Sequence, residues 1–524
     1  MGRNAAGGCA FTLDPWTRLE RFLILGTEGG TYYASERALT LDALTSVDQA
    51  FAADGARAVA MIQEISVSGR PPRNDAAILA LAKAAAAPEL ETRQAALAAL
   101  PAVVRTGTHL FQFAEAVERF RGWGRSLRRA VAAWYEAKPL DALVLQAVKY
   151  PSRQVAGSGS RWSHRDLLRL AHPATREADR AALYAAIVAR ESGETSAARP
   201  LETGRPALAQ WDAARRLARE AASGSLDVKR TAALVREHRL PREALPSEAL
   251  NAPAVWEALL EDMPATAMIR SLAKMAAVGL LTPGSAASRR VAARLRDQKR
   301  LARARVHPLA LLLARAIYAQ GVGMRGSLHW TPDRMVAEAL ERAFYAAFKS
   351  APATGKRLML GLDVSGSMGW GQVAGAPVTP REGAAVMALA TLAKDPKSVA
   401  RAFTGELVPL ELRAGMRLED AVRATSGLRF GRTDCALPML TALKEGLEVD
   451  GFVIYTDNET WAGEIHPMIA LERYRRESGI AAKLVVVGMT ATGFTIADPE
   501  DGGALDVVGF DTAAPALIAD FLSK

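Results

Sequence analysis

Apolar residues recur with helical spacing through the first two thirds of this chain. One such stripe runs through Leu110, Phe113, Val117 and Phe120, which lie three to four residues apart. Another begins after Asn74, a common helix-capping residue type, and continues into an alanine-rich run. Many short helices with small residues at their contacts indicate stacked helix pairs, as in a HEAT-like α solenoid. No clean repeat period marks the pairs, so this prediction depends on the helix pattern alone.

The pattern changes after residues 350–355, a stretch with Ser, Pro and Gly that is typical of a linker. Beyond it, apolar runs of strand length alternate with helical segments. The predicted elements are strands at 357–362, 452–455, 484–487 and 507–510, and helices at 381–393 and 437–445. This alternation predicts an α/β domain with a mostly parallel sheet covered on both faces. We therefore expect two domains, residues 1–355 and residues 356–524.

Length and cysteine content narrow the class of protein. A chain of 524 residues can bury two or more hydrophobic cores. No run approaches the roughly 18 uninterrupted apolar residues of a membrane span, and the first residues lack a signal-peptide core. Cys9 and Cys435 are the only cysteines, and their separation matches no metal-ligand spacing. We expect a reduced, cytoplasmic protein without membrane association.

The positive charge is concentrated in the first domain. Residues 356–524 hold 17 Lys and Arg against 22 Asp and Glu, a balance of −5. Of the 66 basic and 56 acidic residues in the chain, 49 and 34 remain in 1–355, a balance of +15. A basic domain beside a mildly acidic one suggests a polyanionic partner. The alternative is a GC-rich genome that favours Arg on ordinary solvated helices.

Oxygen-bearing residues gather near the ends of two predicted strands. Asp363, Ser365 and Ser367 alternate along a turn directly after an apolar run, and such hard donors suit Mg²⁺. The Asp-x-Ser-x-Ser pattern resembles the metal-ion-dependent adhesion site of von Willebrand factor A domains, which is completed by a distant Thr and a second Asp. Thr433 and Asp457 are the candidates here. The five residues predict one site for a divalent cation, most simply Mg²⁺, with some ligands acting through water.

The position of these residues fits the fold prediction, because ligands gather at the carboxyl ends of strands in open parallel sheets. The alternative is that the same oxygens only cap turns and helix N-termini. Hydrolysis is not expected, since His466 is the only histidine of the second domain and no general base is evident.

A basic stripe follows a second motif. Ser163 and Asp166 form a capping-box pattern that predicts a helix start. On that helix Arg165, Arg169 and His172 follow i, i+4, i+7 spacing on one face. Cationic and aromatic side chains of this kind contact phosphates and stack on bases. The candidate RNA contacts are Lys149, Arg161, His164, Arg165, Arg169 and His172. The alternative is the solvated face of an ordinary amphipathic helix.

A second group of cations lies further along the chain. Eight Arg and Lys residues fall within residues 289–305, and Asp297 is the only acidic residue among them. Such a strip can follow a nucleic-acid backbone without reading its sequence. Surface helices also carry charge runs of this density, so RNA contact and solvation stay open at this point.

Together these pieces resemble the Ro autoantigen family, the TROVE-module proteins whose bacterial members are called Rsr. The resemblance covers nearly the whole chain in family order. Its segments are GTEGGTYY (26–33), WSHRDLLRL (162–170), EHRL (237–240), VWEALL (255–260), ARVHP (304–308), AFY (343–345) and DVSGSM (363–368). It implies a ring of HEAT-like helices, an α solenoid, followed by a Rossmann-like α/β von Willebrand factor A domain.

The resemblance also implies a function without catalysis. Its members bind small noncoding Y RNAs on the outer face of the ring, and ends of misfolded or structured RNAs enter the central hole. In bacteria it suggests tethering through the RNA to polynucleotide phosphorylase, in RNA quality control, decay or ribosomal RNA maturation. By motif, Lys149, His172 and Arg161 occupy Y RNA positions. A loop between Tyr150 and Trp162 that is longer than usual leaves Arg153 or Arg161 open.

Two other classes of function compete with an RNA-binding, monomeric ring. The first is a protein-interaction module that uses its metal site to capture a partner's carboxylate. The second is a metal-dependent nuclease. Asp363→Ala should abolish partner binding in the first class and RNA cleavage in the second. RNA binding should survive this substitution, because it depends on the basic stripe.

Overall fold

The fold is seen in a computed structural model, which describes residues 2–26, 36–154, 161–189, 205–323, 327–347, 353–371, 373, 378–408, 410–428 and 431–524. The motif at 27–33 and the linker residues 348–352 lie outside these ranges. The domain boundary after residue 355 therefore stays a prediction. No helix in the described ranges is long and apolar enough to cross a membrane.

The first part of the chain is helical, with four short strands. The helices are α1 Pro15–Leu25, α2 Glu36–Ser68, α3 Asp75–Ala84, α4 Leu90–Val103, α5 Gly107–Phe120, α6 Arg125–Glu136, α7 Leu140–Lys149, α8 His164–Ala171, α9 Ala178–Val188, α10 Ala209–Ala222, α11 Val228–His238, α12 Pro253–Asp262, α13 Ala265–Ala277, α14 Ala286–Arg296, α15 Gln298–Arg303, α16 Pro308–Gln320 and α17 Arg334–Ala347. The strands are β1 Gly2–Arg3, β2 Cys9–Thr12, β3 Ser152–Gln154 and β4 Arg161–Ser163. A kink at Asp54 interrupts α2.

The helices pack one after another as a solenoid, and the end of the solenoid contacts its beginning. Each of the helices α2, α4, α6, α8, α9, α7, α10, α11, α12, α13 and α16 packs against the next in that order. The circuit closes where Arg305, just before α16, donates a hydrogen bond to the carbonyl oxygen of Val67 in α2. This arrangement confirms the predicted ring of stacked helices.

The rest of the chain forms an α/β domain. Its elements are β5 Leu358–Asp363, α18 Pro380–Leu392, β6 Val399–Phe403, β7 Leu407–Val408, α19 Leu418–Ser426, α20 Leu437–Lys444, β8 Gly451–Thr456, α21 Pro467–Ser478, β9 Lys483–Gly488, β10 Phe494–Thr495, β11 Ala504–Val508 and α22 Ala514–Ser523. One sheet has the strand order β11-β9-β8-β5-β6-β7, parallel throughout except for β7. We call residues 353–524 the A domain.

Both faces of this sheet are covered, as the sequence predicts. Strand β5 is buried along its whole length. Leu358, Leu360 and Leu362 face a core that includes α18 and α22, whereas Met359 faces a second core with α20 and α21. Strands β6 and β7 are additions that the sequence pattern did not reveal. The central strands β5 and β8 end beside each other, which places their following loops at one edge.

Buried ion pairs join the helical region to the A domain. Arg21 of α1 is 1% exposed, and its Nη2 donates to both carboxylate oxygens of Asp506 in β11, at 2.7 and 2.6 Å. Its Nη1 donates to the carbonyl oxygens of Thr492 and Phe494. At the other end of the solenoid, Arg315 of α16 donates to Glu419 at 2.9 Å. Both ends of the helical region are therefore attached to the same domain.

We predict that Arg21→Met lowers the free energy of unfolding by about 3 kcal/mol, because it leaves Asp506 largely buried without its cation. Arg473→Met is the control, since it removes an exposed pair with Glu477 and should cost less than about 1 kcal/mol. Urea unfolding followed by tryptophan fluorescence measures both variants. Equal losses for the two would contradict a structural role for the buried pair.

Candidate functional site

Asp363 is the last residue of β5, and the loop after it turns back on its carboxylate. The amide of Ser365 donates to Asp363 Oδ1 at 2.9 Å, and the Thr456 hydroxyl at the end of β8 donates to Oδ2 at 2.7 Å. The hydroxyls of Ser365 and Ser367 lie 3.1 Å apart. Three of the predicted ligands thus share one loop, fixed against the neighbouring strand.

Thr433 and Asp457 reach the same edge from two other loops. Both are fully buried, and neither Thr433 Oγ1 nor Asp457 Oδ2 has a hydrogen-bond partner among the described residues. The carbonyl oxygen of Thr433 accepts from the amides of Trp461 and Ala462, which joins the Thr433 loop to the one after β8. Buried polar atoms without partners are costly, so an ion or water at this place would satisfy both.

The electrostatics of these carboxyl groups favour a cation. Burial raises the pKa of Asp363, and the neighbouring Asp457 raises it further. Burial also raises the pKa of Asp457, although a hydrogen bond with Ser367 opposes this. Two carboxylates that repel each other in a buried site are stabilised by a divalent ion between them. The donor set therefore fits Mg²⁺, with both charges on Asp and the remaining donors neutral hydroxyls.

The described residues contain no group of three or more His, Cys, Asp and Glu able to hold a metal ion. A cation at the β5 and β8 edge would thus depend on the hydroxyl oxygens as well as on the two Asp residues. It would keep water in its coordination shell, which is the usual state of protein-bound Mg²⁺.

Sequence reasoning missed three residues at this edge. Thr456 holds the Asp363 carboxylate, as described above. Asn458 takes a left-handed conformation with φ 66° directly after Asp457. Glu459 is fully buried, and burial followed by repulsion from Asp457 raises its pKa to about 7. The polar run that follows the apolar strand β8 was the available signal.

The basic stripe lies on α8 and on the end of α7. The capping box predicted at Ser163 and Asp166 is present and begins α8. Arg169 and His172 are exposed, and Arg165 and Lys149 are half-buried. Strands β3 and β4 pair antiparallel between the two helices and bring the end of α7 to the start of α8. The stripe is elongated, since α8 rises about 1.5 Å per residue.

His164 does not belong to this exposed face. It is 2% exposed, its Nδ1 lies 2.7 Å from the Tyr135 hydroxyl, and its ring packs edge-on against Phe111. Burial lowers the pKa of His164 to about 4, so the ring is neutral at physiological pH. Our inclusion of His164 among the RNA contacts is therefore corrected. Its spacing with Leu167 and Leu168 is that of the apolar face.

The structure bears on which of Arg153 and Arg161 contacts RNA, because it shows the partner of one of them. Arg153 in β3 donates to Glu115 of α5 at 2.7 Å, so an intramolecular ion pair already engages its guanidinium. The backbone of Arg161 pairs with Gln154, but its side chain lies outside the described part of the chain. Arg161 stays a predicted RNA contact.

The cation group at 289–305 divides into two kinds. Some of its arginines hold neighbouring backbone: Arg294 donates to the carbonyl oxygens of Leu260 and Glu261, and Arg300 to that of Met263. These bonds cap the end of α12 and have a structural role. Arg289 and Arg305 are exposed but also donate to backbone carbonyl oxygens, those of Gly284 and Val67. The exposed members outside these bonds are Arg290, Arg296, Lys299 and Arg303. Only this second set is available to a polyanion.

Comparison with known families decides the class of protein. A model described as the Ro60 vWA domain matches residues 357–522, and one described as the TROVE domain matches residues 2–203 and 215–317. The chain belongs to the Ro60 family of TROVE proteins. The resemblance drawn from the sequence motifs is thereby confirmed.

Relatives of known name extend the comparison over nearly the whole chain. The chain is 42% identical to the RNA-binding protein RO60 of Deinococcus radiodurans over 525 residues, which cover 99% of this chain and 94% of the relative. It is 36% identical to the RNA-binding protein RO60 of Caenorhabditis elegans over 585 residues, or 99% and 90% of the two chains. The fold is similar to the crystal structure of the Deinococcus radiodurans RO (RSR) protein, with a TM-score of 0.71, 41% identity, and coverage of 97% and 99%.

We predict that the thermal stabilisation conferred by MgCl₂ grows between about pH 5 and about pH 8. The raised pKa values of Asp363 and Asp457 favour their protonated forms in the folded, metal-free chain. Their stabilising effect is complete below the ordinary carboxyl pKa and is lost as the pH rises through the raised values. Mg²⁺ competes with protons for the same oxygens, so its binding strengthens over this range.

The quantity to measure is the change in Tm on adding MgCl₂ at each pH. Buried histidines do not change this difference, because they contribute equally with and without metal. Burial lowers the pKa of His307 to about 4, so its contribution to stability is lost as the pH falls in either case. Asp363→Asn should remove the Mg²⁺ effect. A Tm shift that does not depend on pH, or that survives this substitution, would contradict the assignment.

Proposed function

We propose that this protein is a non-catalytic RNA-binding scaffold. It binds a small noncoding Y RNA on the outer face of the helical ring, and ends of misfolded or structured RNAs enter the central hole. The observation that carries this proposal is the exposed basic face of α8, at the family's motif, in a chain whose relatives are named RNA-binding proteins. The proposed contacts are Lys149, Arg161, Arg165, Arg169 and His172.

The geometry of this face suits backbone recognition. Arg169 and His172 are exposed on α8, and the Lys149 ammonium lies 5.3 Å from the centre of the Tyr150 ring. An elongated strip of cations can follow consecutive phosphates, while His and Tyr rings offer stacking surfaces to unpaired bases. The RNA is then selected by its shape and free ends, and no step of bond cleavage is required.

The proposal includes the setting in which this scaffold acts. We propose a cytoplasmic monomer that is tethered through its RNA to polynucleotide phosphorylase, in RNA quality control, decay or ribosomal RNA maturation. Both cysteines, Cys9 and Cys435, are free thiols, which fits a reducing compartment. A pull-down of the exonuclease that is lost after RNase treatment would support tethering through RNA.

A second function concerns the A domain. The buried oxygens of Asp363, Ser365, Ser367, Thr433 and Asp457 would hold Mg²⁺, which when bound supplies an open coordination position for an anionic ligand. Of these oxygens, the two of the Asp363 carboxylate are fixed by hydrogen bonds from the Thr456 hydroxyl and the Ser365 amide. A carboxylate from a protein partner is the ligand class we propose for this site.

We predict that Lys149→Ala combined with His172→Ala weakens Y RNA affinity by about tenfold at moderate salt and lowers the slope of log affinity against log salt by about one. Electrophoretic mobility shift at several salt concentrations measures both quantities. The double variant Lys229→Ala with His238→Ala, on α11, is the control, since it removes the same residue types elsewhere on the solenoid. An unchanged affinity in the first variant would refute the outer-face assignment.

Asp363→Ala separates the two functions. We predict that it leaves RNA affinity within about twofold of the wild type, because the stripe lies on α7 and α8, and that it abolishes capture of any carboxylate-bearing partner. RNA that is degraded by purified wild-type protein with Mg²⁺, and left intact by Asp363→Ala, would instead establish a nuclease.

A further inference from the structure

The N-terminal segment of the chain lies against the loop that carries Asp457. We call residues 2–12 the N-terminal strap. Its strand β2 pairs antiparallel with β10 of the A domain, with Thr12 opposite Phe494 and Phe11 opposite Thr495. Phe11 packs against the second core of the A domain and lies edge-on to His466, at 5.5 Å between ring centres. The strap thus packs as part of the A domain, although Asn4 and its partner Asn458 are 454 positions apart in sequence.

Asn4 binds the backbone of the Asp457 loop directly. Its Nδ2 donates to the carbonyl oxygen of Asn458 at 3.1 Å and to that of Thr460 at 2.7 Å. Its Oδ1 accepts from the amide of Gly8 at 2.8 Å, so the same side chain also closes the turn of the strap. Asn4 is 5% exposed. A buried amide with both of its polar atoms engaged in this way fixes the relative position of the two segments.

Gly8 determines how closely the two backbones approach. A Cβ at this position would lie 1.7 Å from the carbonyl oxygen of Thr460 and 2.8 Å from the Cα of Trp461. Only glycine permits that approach. Because Trp461 donates its amide to Thr433, the strap contacts the connection between two of the candidate metal-ligand loops.

The loop is held by contacts from outside it. Asn458 has a left-handed φ of 66°, a conformation that among non-glycine residues Asn adopts most readily. Its carbonyl oxygen accepts from Asn4, and its Oδ1 accepts from the amide of Ile496, just after β10. The next residue, Glu459, is fully buried and accepts a hydrogen bond from the amide of Ala6 at 2.9 Å. Strap contacts therefore engage each of the three residues that follow Asp457.

We propose that Asn4 and Gly8 are positioning residues for the cation site: by holding the backbone of 458–460, the strap fixes Asp457 in the orientation that binds a divalent cation. The inference rests on the metal site described under the proposed function. Coupling between two binding events is reciprocal, so a cation that requires the docked strap also stabilises its docking. Neither residue contacts the cation; both act through the loop.

The test compares Mg²⁺ affinity, measured by isothermal titration calorimetry with the metal alone, in the full-length wild type and four variants. We expect Asn4→Ala and Gly8→Ala to weaken Mg²⁺ binding by about tenfold, a usual magnitude for coupled sites. Arg3→Ala should bind Mg²⁺ like the wild type, because Arg3 is an exposed residue of the same strap. Asn4→Asp keeps the size of the side chain but loses the donor, so it should behave like Asn4→Ala.

Amide hydrogen exchange gives a readout that a merely structural role would not change. We expect Mg²⁺ to slow exchange at the amides of Ala6 and Gly8 in the wild type, and to have no such effect in Asp363→Ala, whose substitution does not touch the strap. The inference would be overturned, and the metal site left intact, if Asn4→Ala bound Mg²⁺ with wild-type affinity and amide hydrogen exchange in the wild-type strap did not change on adding Mg²⁺. A wild type that binds no Mg²⁺ would refute the metal site itself, and the inference with it.

Discussion

The burial of the Arg21 guanidinium inside the A domain is the constraint on which the arrangement of this molecule depends. Its plane lies against Gly488, where a Cβ would be 2.8 Å from Nη2, and Asp506 and two backbone carbonyl groups accept its hydrogen bonds. A charge in that position cannot leave its partners without a cost of several kcal/mol. The first helix of the solenoid is thereby fixed to the far edge of the sheet.

Other contacts between the helical region and the A domain also use polar side chains with specific hydrogen-bond partners. Arg70, after α2, donates to both carboxylate oxygens of Asp511. Burial alone would lower the pKa of Arg70, but its hydrogen bonds to Asp511 and Glu20 and the charges of these two residues raise it overall. His307, which caps the start of α16, donates a hydrogen bond from Nε2 to the carbonyl oxygen of Phe510, at 2.9 Å. Since these residues come from opposite ends of the solenoid, the A domain holds the helical circuit closed.

Much of this architecture could be predicted from the sequence, because it depends on local pattern. The strands β5, β8 and β9 are continuous apolar runs, and the predicted bounds differ from the observed ones by a residue or so. The capping box at Ser163 was also predictable, since its two partners are three residues apart. The candidate metal ligands were recognisable as a motif in family order, although no local rule brings the loop of Thr433 to the loop that follows β8.

Other features could not be predicted, because they depend on distant partners. The pairing of β2 with β10 and the burial of Arg21 involve residues more than 450 positions apart. The charged residues around His164 predict a basic face, whereas its helical spacing with Leu167 and Leu168 places it on the buried face of α8.

Crosslinking of the native ribonucleoprotein tests the central claim most directly. The protein would be purified from its own cells after ultraviolet irradiation, the bound RNA sequenced, and the crosslinked peptides mapped by mass spectrometry. The account predicts one abundant small RNA with a stem and internal loops, crosslinked to peptides that contain Lys149 and His172. Protein recovered without RNA, or crosslinks confined to the A domain, would contradict it.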